Sequence, residues 1–404
     1  MSFPVIPTRK AGFERLRKFL PNSGHRYAKN RNKDYGPDNR ENVSLLSGHI
    51  RHRLILEKEI LSIVLGHYSQ STAEKFIQEL FWRGYFKGFL EQHPTIWTAY
   101  RRDVSALTTT LDNKDDLARF YYQAVNGETD ISCFNSWAHE LVETGYLHNH
   151  VRMWFASIWI FTLKLPWQLG ADFFYRHLVD GDPASNTLSW RWVGGLHTSG
   201  KSYLARPSNI ERYTDARFAP YGQLTTNSSP LEEDEYYPIS KIPATSKKVN
   251  PEVVGLLITE EEGYSEDLFK DLEPTAGIAL LTTHARSPQP IGIHAKAFSK
   301  YAFHDSISRA VNHFKCTLGG PFELDEWGTV LLKFAREHGV QTIATAYAPV
   351  GPVAEKLSDA RSYLAKHGIA LYERQRAYDL LTWPYAKRGF FSLKKKIPDI
   401  LKRL

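Results

Sequence analysis

Apolar residues recur every three or four positions through the first half of the chain. HIRHRLILEKEILSIVL (49–65) and TAEKFIQELFWRGYFKGFL (72–90) both have this spacing, which puts one face of a helix against a core. The pattern holds from Ser44 to about Tyr203 with few strand-like runs, so this region is expected to be mostly α-helical. The most apolar stretch, VRMWFASIWIFTLKLPW (151–167), is interrupted by Arg152, Lys164 and Pro166. It reads as a buried core helix, too short and too broken to cross a membrane. Residues 1–40 are basic and polar. HRYAKNRNKDYGPDNREN (25–42) holds turn formers without periodicity and reads as a lead-in loop.

The pattern changes near residue 250. NSSPLEEDEYYPISKIPATSKKVNP (227–251) is rich in Pro, Ser and charge and reads as a linker. After it, short apolar runs (EVVGLLIT, GIALLTT, TIATAY, IALYE) alternate with helical segments such as DEWGTVLLKFAREHG and PVAEKLSDARSYLAKHG. Strands alternating with helices imply a parallel α/β sheet. The expected organisation is an all-helical domain over 1–226, a linker over 227–250 and a Rossmann-like parallel α/β domain over 251–404.

Composition adds a little to this picture. The 404 residues suffice for two domains with cores, and 42% hydrophobic with 24% charged residues is ordinary for globular protein. Ten Trp are many, and such rings also suit stacking on planar ligands. A net charge of +7 favours polyanions. Two cysteines, Cys133 and Cys316, build neither a disulfide framework nor a cysteine-rich metal site. No histidine pair has metalloprotease or zinc-finger spacing, so no metal site is expected. The N-terminus lacks a secretory h-region, and a cytoplasmic monomer is expected.

Two motifs need weighing. Gly195 with Gly200-Lys201-Ser202 satisfies the nucleotide-loop pattern G-x-x-x-x-G-K-[ST]. Its flanks do not suit phosphate binding: LSWRWV precedes it instead of a buried strand, and Pro207 cuts short any helix after it. No G-x-G-x-x-G follows the first strand of the α/β half, which argues against a nicotinamide dinucleotide.

Residues 145–192 are more specific. TGYLHNHVRM, then PWQLGADFFYRHLVDGDPASN, then WRW resembles the flavin-binding core of the photolyase and cryptochrome family, in order and spacing. Upstream, QELFWRGYF resembles the family's E-L-x-W-R segment and SLLSGHI its serine-containing phosphate loop. The resemblance covers roughly residues 20–215.

The resemblance implies an FAD held by Tyr27, Ser44, Ser47, Arg83, Asn149, Arg152, Asp180, Asp182 and Asn186. Asn186 would face the reactive flavin nitrogen, and Arg152 would partner Asp180. It implies electron transfer through Trp190 and Trp167. No tryptophan stands at the usual outer position, where Tyr121 or Tyr122 is the substitute. Glu79, Trp82, Asn149, Met153 and Trp192 match the residues that contact a cyclobutane pyrimidine dimer. The implied activity is blue-light-driven repair of dimers in single- or double-stranded DNA. The alternative is a cryptochrome-type photoreceptor without repair. Departures from the family pattern include Gly84, Leu45, Phe76 and His150, and the segment ARPSNIERYT after WRW. In the family the α/β domain precedes the helical one. TAYAPVGPVAEKLSDARSYLAKHGIALYERQRAYDLL (345–381) resembles its last βαβ unit, so the order here implies a circular permutation. That domain would carry a second, antenna chromophore, for which no residues are assigned. The basic tail KRGFFSLKKKIPDILKRL is either a solvated helix face or part of an anion-binding surface.

Overall fold

The structure is a computed structural model that describes residues 5–112, 116–198, 200–243 and 253–404. Its N-terminal stretch corrects the expectation of a lead-in loop. Arg9–Phe19 (α1) is helical, capped by the Thr8 hydroxyl, which accepts the Ala11 N–H at 3.2 Å. A 3₁₀ turn and the short helix His25–Asn30 (α2) follow. Leu16 and Phe19 provide the buried contacts of α1, a helical pair hidden in the sequence among Arg and Lys.

The helical body continues with Ser47–Arg51 (α3), Glu57–Leu65 (α4), Glu74–Gln92 (α5), Pro94–Leu111 (α6), Asp116–Val125 (α7) and Ser132–Thr144 (α8). Asn149–Ser157 (α9), Trp167–His177 (α10), Pro183–Gly194 (α11) and Pro207–Tyr213 (α12) complete it. The long apolar run is not one helix. It is α9, a π turn over Ile158–Thr162, and then a break before Pro166 opens α10. Trp137, Trp154 and Trp159 are fully buried here, in the core that also takes Trp190. Among the described residues no helix is long and apolar enough to cross a membrane.

The C-terminal half is the expected α/β unit. Its strands are Val254–Thr259 (β1), Ala276–Leu281 (β2), Thr317–Glu323 (β3), Thr342–Ala346 (β4) and Ala370–Arg374 (β5). They form one parallel sheet in the order β3-β2-β1-β4-β5. Helices Ser265–Leu268 (α13), Ile293–Phe314 (α14), Trp327–His338 (α15) and Pro352–Ala365 (α16) lie between the strands in sequence. β1, β2 and β4 are buried throughout, as expected for strands covered on both faces. β3 is an exposed edge strand that holds Pro321, a residue tolerated only at such edges and bulges.

The chain then leaves the sheet. Ala377–Thr382 (α17), Phe391–Lys394 (α18) and Ile397–Leu401 (α19) follow β5. Tyr378, Phe390, Leu393, Ile397 and Ile400 join a core with Leu16 and Phe19 of α1 and with the apolar side of α5. Part of the linker, residues 227–243, is pinned to the helical body. Leu231 N–H donates to Gly194 O at 2.8 Å, and Glu233 takes both Arg191 guanidinium prongs at 2.7 and 2.6 Å. Linker residues 244–250 lie outside the described residues, as does Ser199 of the GKS motif. Gly195 of that motif has φ +86° and ends α11, a left-handed position that suits glycine, so the segment is the loop leaving the WRW helix.

Candidate functional site

The site is built on the turn between α10 and α11. Asp182 caps α11: its carboxylate accepts the Ser185 N–H at 2.8 Å, and Pro183 takes the first helical position. A Cβ on Gly181 would lie 2.7 Å from the Tyr175 carbonyl oxygen, so only glycine fits between the two aspartates. Arg152, from α9, donates to Asp180 Oδ2 at 3.0 Å, while Asp180 Oδ1 is buried without a hydrogen-bond partner among the described residues. Burial alone would raise the Asp180 pKa. Arg152 and the Ser47 hydroxyl more than offset it, and the carboxyl stays below its usual range.

Three cations converge on Asp182. Lys87 Nζ lies at 3.5 Å, Arg51 Nε at 3.7 Å and Arg83 Nη2 at 3.9 Å from its Oδ2. Burial opposes its ionisation, but Lys87, Arg83, Arg51 and the Ser185 N–H hold it well below the ordinary carboxylate value. Arg83 and Lys87 are four apart on α5 and therefore share a face. Arg51 also donates to Gly181 O at 2.8 Å and forms a two-pronged pair with Glu261, just past β1.

Charges here do not cancel. Arg51, Lys87 and Arg83 face two carboxylates, Asp182 and Glu261, while Asp180 is matched by Arg152. The Nε and Nη2 groups of Arg83 are buried without hydrogen-bond partners among the described residues. Uncompensated buried guanidinium N–H groups are costly unless an acceptor meets them. A phosphate-bearing cofactor supplies that acceptor, so these residues fit a flavin dinucleotide. A cavity of about 290 Å³ adjoins Ser47 and is lined also by Arg15, Arg40, Leu45 and Tyr146.

The remaining cofactor candidates are distributed around this turn. Asn186, one turn into α11, donates Nδ2–H to Ala171 O at 2.7 Å, which fixes its amide orientation. Tyr27 packs edge-on against Phe19 and Phe76, and burial raises its hydroxyl pKa. Ser44 is used differently from Ser47. Its carbonyl accepts Arg15 Nε–H at 2.7 Å, and its hydroxyl meets the Leu46 N–H at 3.4 Å. Arg51, Lys87 and Glu261 lie outside the motifs that carry the resemblance. Lys87 carried a signal, since it is a charge inside the apolar run YFKGF and is nearly inaccessible. Glu261 carried none, because its partner lies 210 positions away.

The candidate substrate residues come from three helices. Glu79 and Trp82 are on α5, Asn149 and Met153 on α9, and Trp192 on α11, which packs against both. The Glu79 side chain is 39% exposed and lies 3.8 Å from Arg31 Nε. Trp192 stacks on Tyr203 at 5.6 Å. Asn149 is exposed and Met153 half-buried. One face of Trp82 is covered: Phe390 stacks on it with centroids 3.8 Å apart and planes 13° apart. That indole face is therefore closed to a base.

Trp190 and Trp167 have different neighbours. Trp190 meets Trp159 edge-on at 6.1 Å and Phe174 at 5.1 Å. Trp159 in turn meets Tyr121 at 6.1 Å, and Tyr121 meets the 47% exposed Tyr122 at 5.3 Å. Trp167 stacks on Tyr100 at 5.8 Å and lies under the Arg191 guanidinium.

Comparison with known proteins agrees with the helical part of this picture. Residues 76–223 match the family model of the FAD binding domain of DNA photolyase. The chain is 30% identical over 168 residues to a deoxyribodipyrimidine photo-lyase of Alkalihalophilus pseudofirmus, covering 40% of this chain and 33% of that protein. It is 27% identical over 207 residues to the Escherichia coli deoxyribodipyrimidine photo-lyase, covering 50% and 42%. The chain thus spans less than half the length of these curated relatives. A solved cryptochrome from Synechocystis superposes over 52% of this chain and 43% of that one, with 19% identity and a TM-score of 0.44. FAD is the cofactor this domain type binds. Residues 76–223 thus match the FAD binding domain of DNA photolyase, and the chain's similarity to the photo-lyases runs through this part.

Proposed function

We propose that the protein is a light-driven flavoprotein that splits cyclobutane pyrimidine dimers in DNA. The observation that carries this reading is the unbalanced buried charge at Asp182, with the unpartnered Arg83 N–H groups beside Asp180 and Arg152. Arg83 and Ser47 would hold the dinucleotide's phosphates, while Asp180, Asp182 and Asn186 would orient its ring and ribose. Tyr27 and Ser44 would add hydroxyl contacts. A reduced flavin held there would supply light-driven one-electron chemistry for splitting the dimer ring. Glu79 and Asn149 would hydrogen-bond the polar edges of a dimer flipped out of the stack. Met153, Trp192 and Trp82 would exclude water around it.

A second reading is a photoreceptor that absorbs light without repairing. Two observations favour it: Phe390 covers one wall of the substrate cleft, and the rings Trp190, Trp159, Tyr121 and Tyr122 run to the surface. A blue-light assay of the reduced protein on single- and double-stranded DNA containing dimers separates the two. Restored bases support repair. No repair on either substrate, together with fast flavin photoreduction, supports the photoreceptor.

The domain order is read as a circular permutation of the family's arrangement. Its support is the return of residues 378–400 to the core of α1 and α5, which brings the two ends of the chain into one cluster. Permutation is tolerated where termini lie at surfaces. A synthetic chain with residues 253–404 placed ahead of residues 5–243 should fold and retain flavin. Failure to do so under conditions that load the natural chain would count against this reading.

A further inference from the structure

The last eighteen residues are a cationic face held rigidly beside the substrate cleft. KRGFFSLKKKIPDILKRL contains seven cations and one acid, Asp399. Phe390, Leu393, Ile397 and Ile400 are buried in the core shared with α1 and α5. Their spacing of three and four turns one side of α18 and α19 inward and the lysines outward. Lys387, Arg388, Lys395, Lys402 and Arg403 are exposed and form no ion pair among the described residues. Lys394 lies 3.8 Å from Glu74 and Lys396 lies 3.9 Å from Asp399, both weak surface pairs. Phe391 projects from this face with 74% of its surface exposed, although the adjacent Phe390 is buried against Trp82.

A solvated tail would need neither the apolar anchor nor the exposed ring. Fixed cations with an accessible aromatic among them suit a strand that offers phosphates and unstacked bases. We propose that residues 387–403 form a nucleic-acid docking surface that takes single-stranded or locally opened DNA and leads it to the cleft at Trp82. The proposal rests on the reading of this chain as a DNA-acting protein. It adds that sequence-independent affinity comes from the C-terminal segment, with lesion preference left to the cleft. Lys387, Arg388, Lys395, Lys402 and Arg403 contact phosphates, and Phe391 stacks on a base.

The test measures binding of the flavin-loaded full chain to a fluorescein-labelled, undamaged single-stranded oligonucleotide of mixed sequence, by anisotropy across a salt series. Replacing Lys387, Arg388, Lys395, Lys402 and Arg403 with Gln should reduce affinity more than tenfold. It should also flatten the salt slope by about 3 to 4, at about 0.7 per lost phosphate contact. F391A should weaken binding roughly tenfold with the slope unchanged. Lys→Arg at 387, 395 and 402 should bind as the natural chain does. Melting temperature and flavin content are expected to be unchanged in all three. If the five-site variant binds with the original affinity and slope, the proposal is overturned. It is also overturned if the chain binds anionic phosphatidylserine vesicles through these residues and not the oligonucleotide. A dimer-containing oligonucleotide separates this proposal from the repair reading. Loss of lesion preference with intact tail-dependent binding would sink repair alone. Kept lesion preference with tail-independent binding would sink the docking surface alone.

Discussion

Arg51 and Glu261 face each other in a two-pronged ion pair at 2.7 and 2.6 Å, and both are almost inaccessible. One ends the short helix α3 of the helical part and the other follows β1 of the α/β part. Arg51 also holds the Gly181 carbonyl, so the α/β domain braces the turn that carries Asp180 and Asp182.

E261A removes the two-pronged partner of the buried Arg51 and leaves it only Asp182, a carboxylate it shares with Lys87 and Arg83. Breaking such a pair from one side costs about 3–5 kcal/mol. Denaturant titration should show that loss, together with reduced flavin content at equal protein concentration. Unchanged stability would mean that the pair contributes nothing net.

Glu91 predicts a pH dependence at the same domain contact. Burial pushes its pKa up to about 7, against the opposing hydrogen bonds from the Tyr347 hydroxyl and the Val350 N–H, both at 2.6 Å. Its folded value exceeds its unfolded value of 4.5. Its contribution is therefore fully present below pH 4.5 and is lost as pH rises through 7. The span is on the order of 3 kcal/mol. E91Q should lose this part of the dependence, so its stability relative to the natural chain improves between pH 5 and pH 8. A gap that stays constant across this range would refute the assignment.

Gly170 is where the backbone makes room for the aromatic contacts. A Cβ there would lie 2.3 Å from Trp190 Cη2 and 2.9 Å from Trp159 Cε2. G170A should displace both rings and cost about 1–3 kcal/mol, with a changed near-ultraviolet circular dichroism spectrum. If electrons move through these rings, W159F should slow flavin photoreduction about tenfold or more, a barrier change of about 1.4 kcal/mol. W190F should do the same. A rate sensitive to W167F and indifferent to W159F would instead support the Trp190–Trp167 route that the resemblance implies.

The parts legible in the sequence were those with local causes. The α5 periodicity and the buried strands β1, β2 and β4 each depend on neighbours a few positions away. The edge strand β3 was not legible, because TLGGPFE is exposed and has no apolar run. α1 was hidden because its buried Leu16 and Phe19 stand among cations. The Arg51–Glu261 pair, the Phe390 cover on Trp82 and the turn of α18 and α19 back to α5 depend on contacts more than 200 positions apart. No spacing rule reaches that far. The candidate cofactor residues follow from motif order, whereas the electrostatics around Asp182 depend on the fold bringing Lys87 and Arg51 to it.

Asp180 offers the sharpest test of the flavin site. Its Oδ2 pairs with Arg152, and its Oδ1 is buried with no hydrogen-bond partner among the described residues, so the carboxylate has one oxygen left for a ligand donor. D180A removes both functions and leaves the Arg152 guanidinium without its carboxylate. D180N keeps the shape but replaces one acceptor with an amide donor that Arg152 cannot pair. Both should purify with much less FAD, read as flavin absorbance per protein, with D180A the lower. An equilibrium titration of apoprotein with FAD should show at least about a tenfold weaker Kd for D180N, since losing one charge-assisted bond costs about 1.5–3 kcal/mol. The same variants should keep the oligonucleotide affinity of the C-terminal face, because residues 387–403 do not touch this turn. Full flavin retention in D180A, with an unshifted spectrum, would place the cofactor elsewhere and remove the basis for assigning Arg83, Asp182 and Asn186 to it.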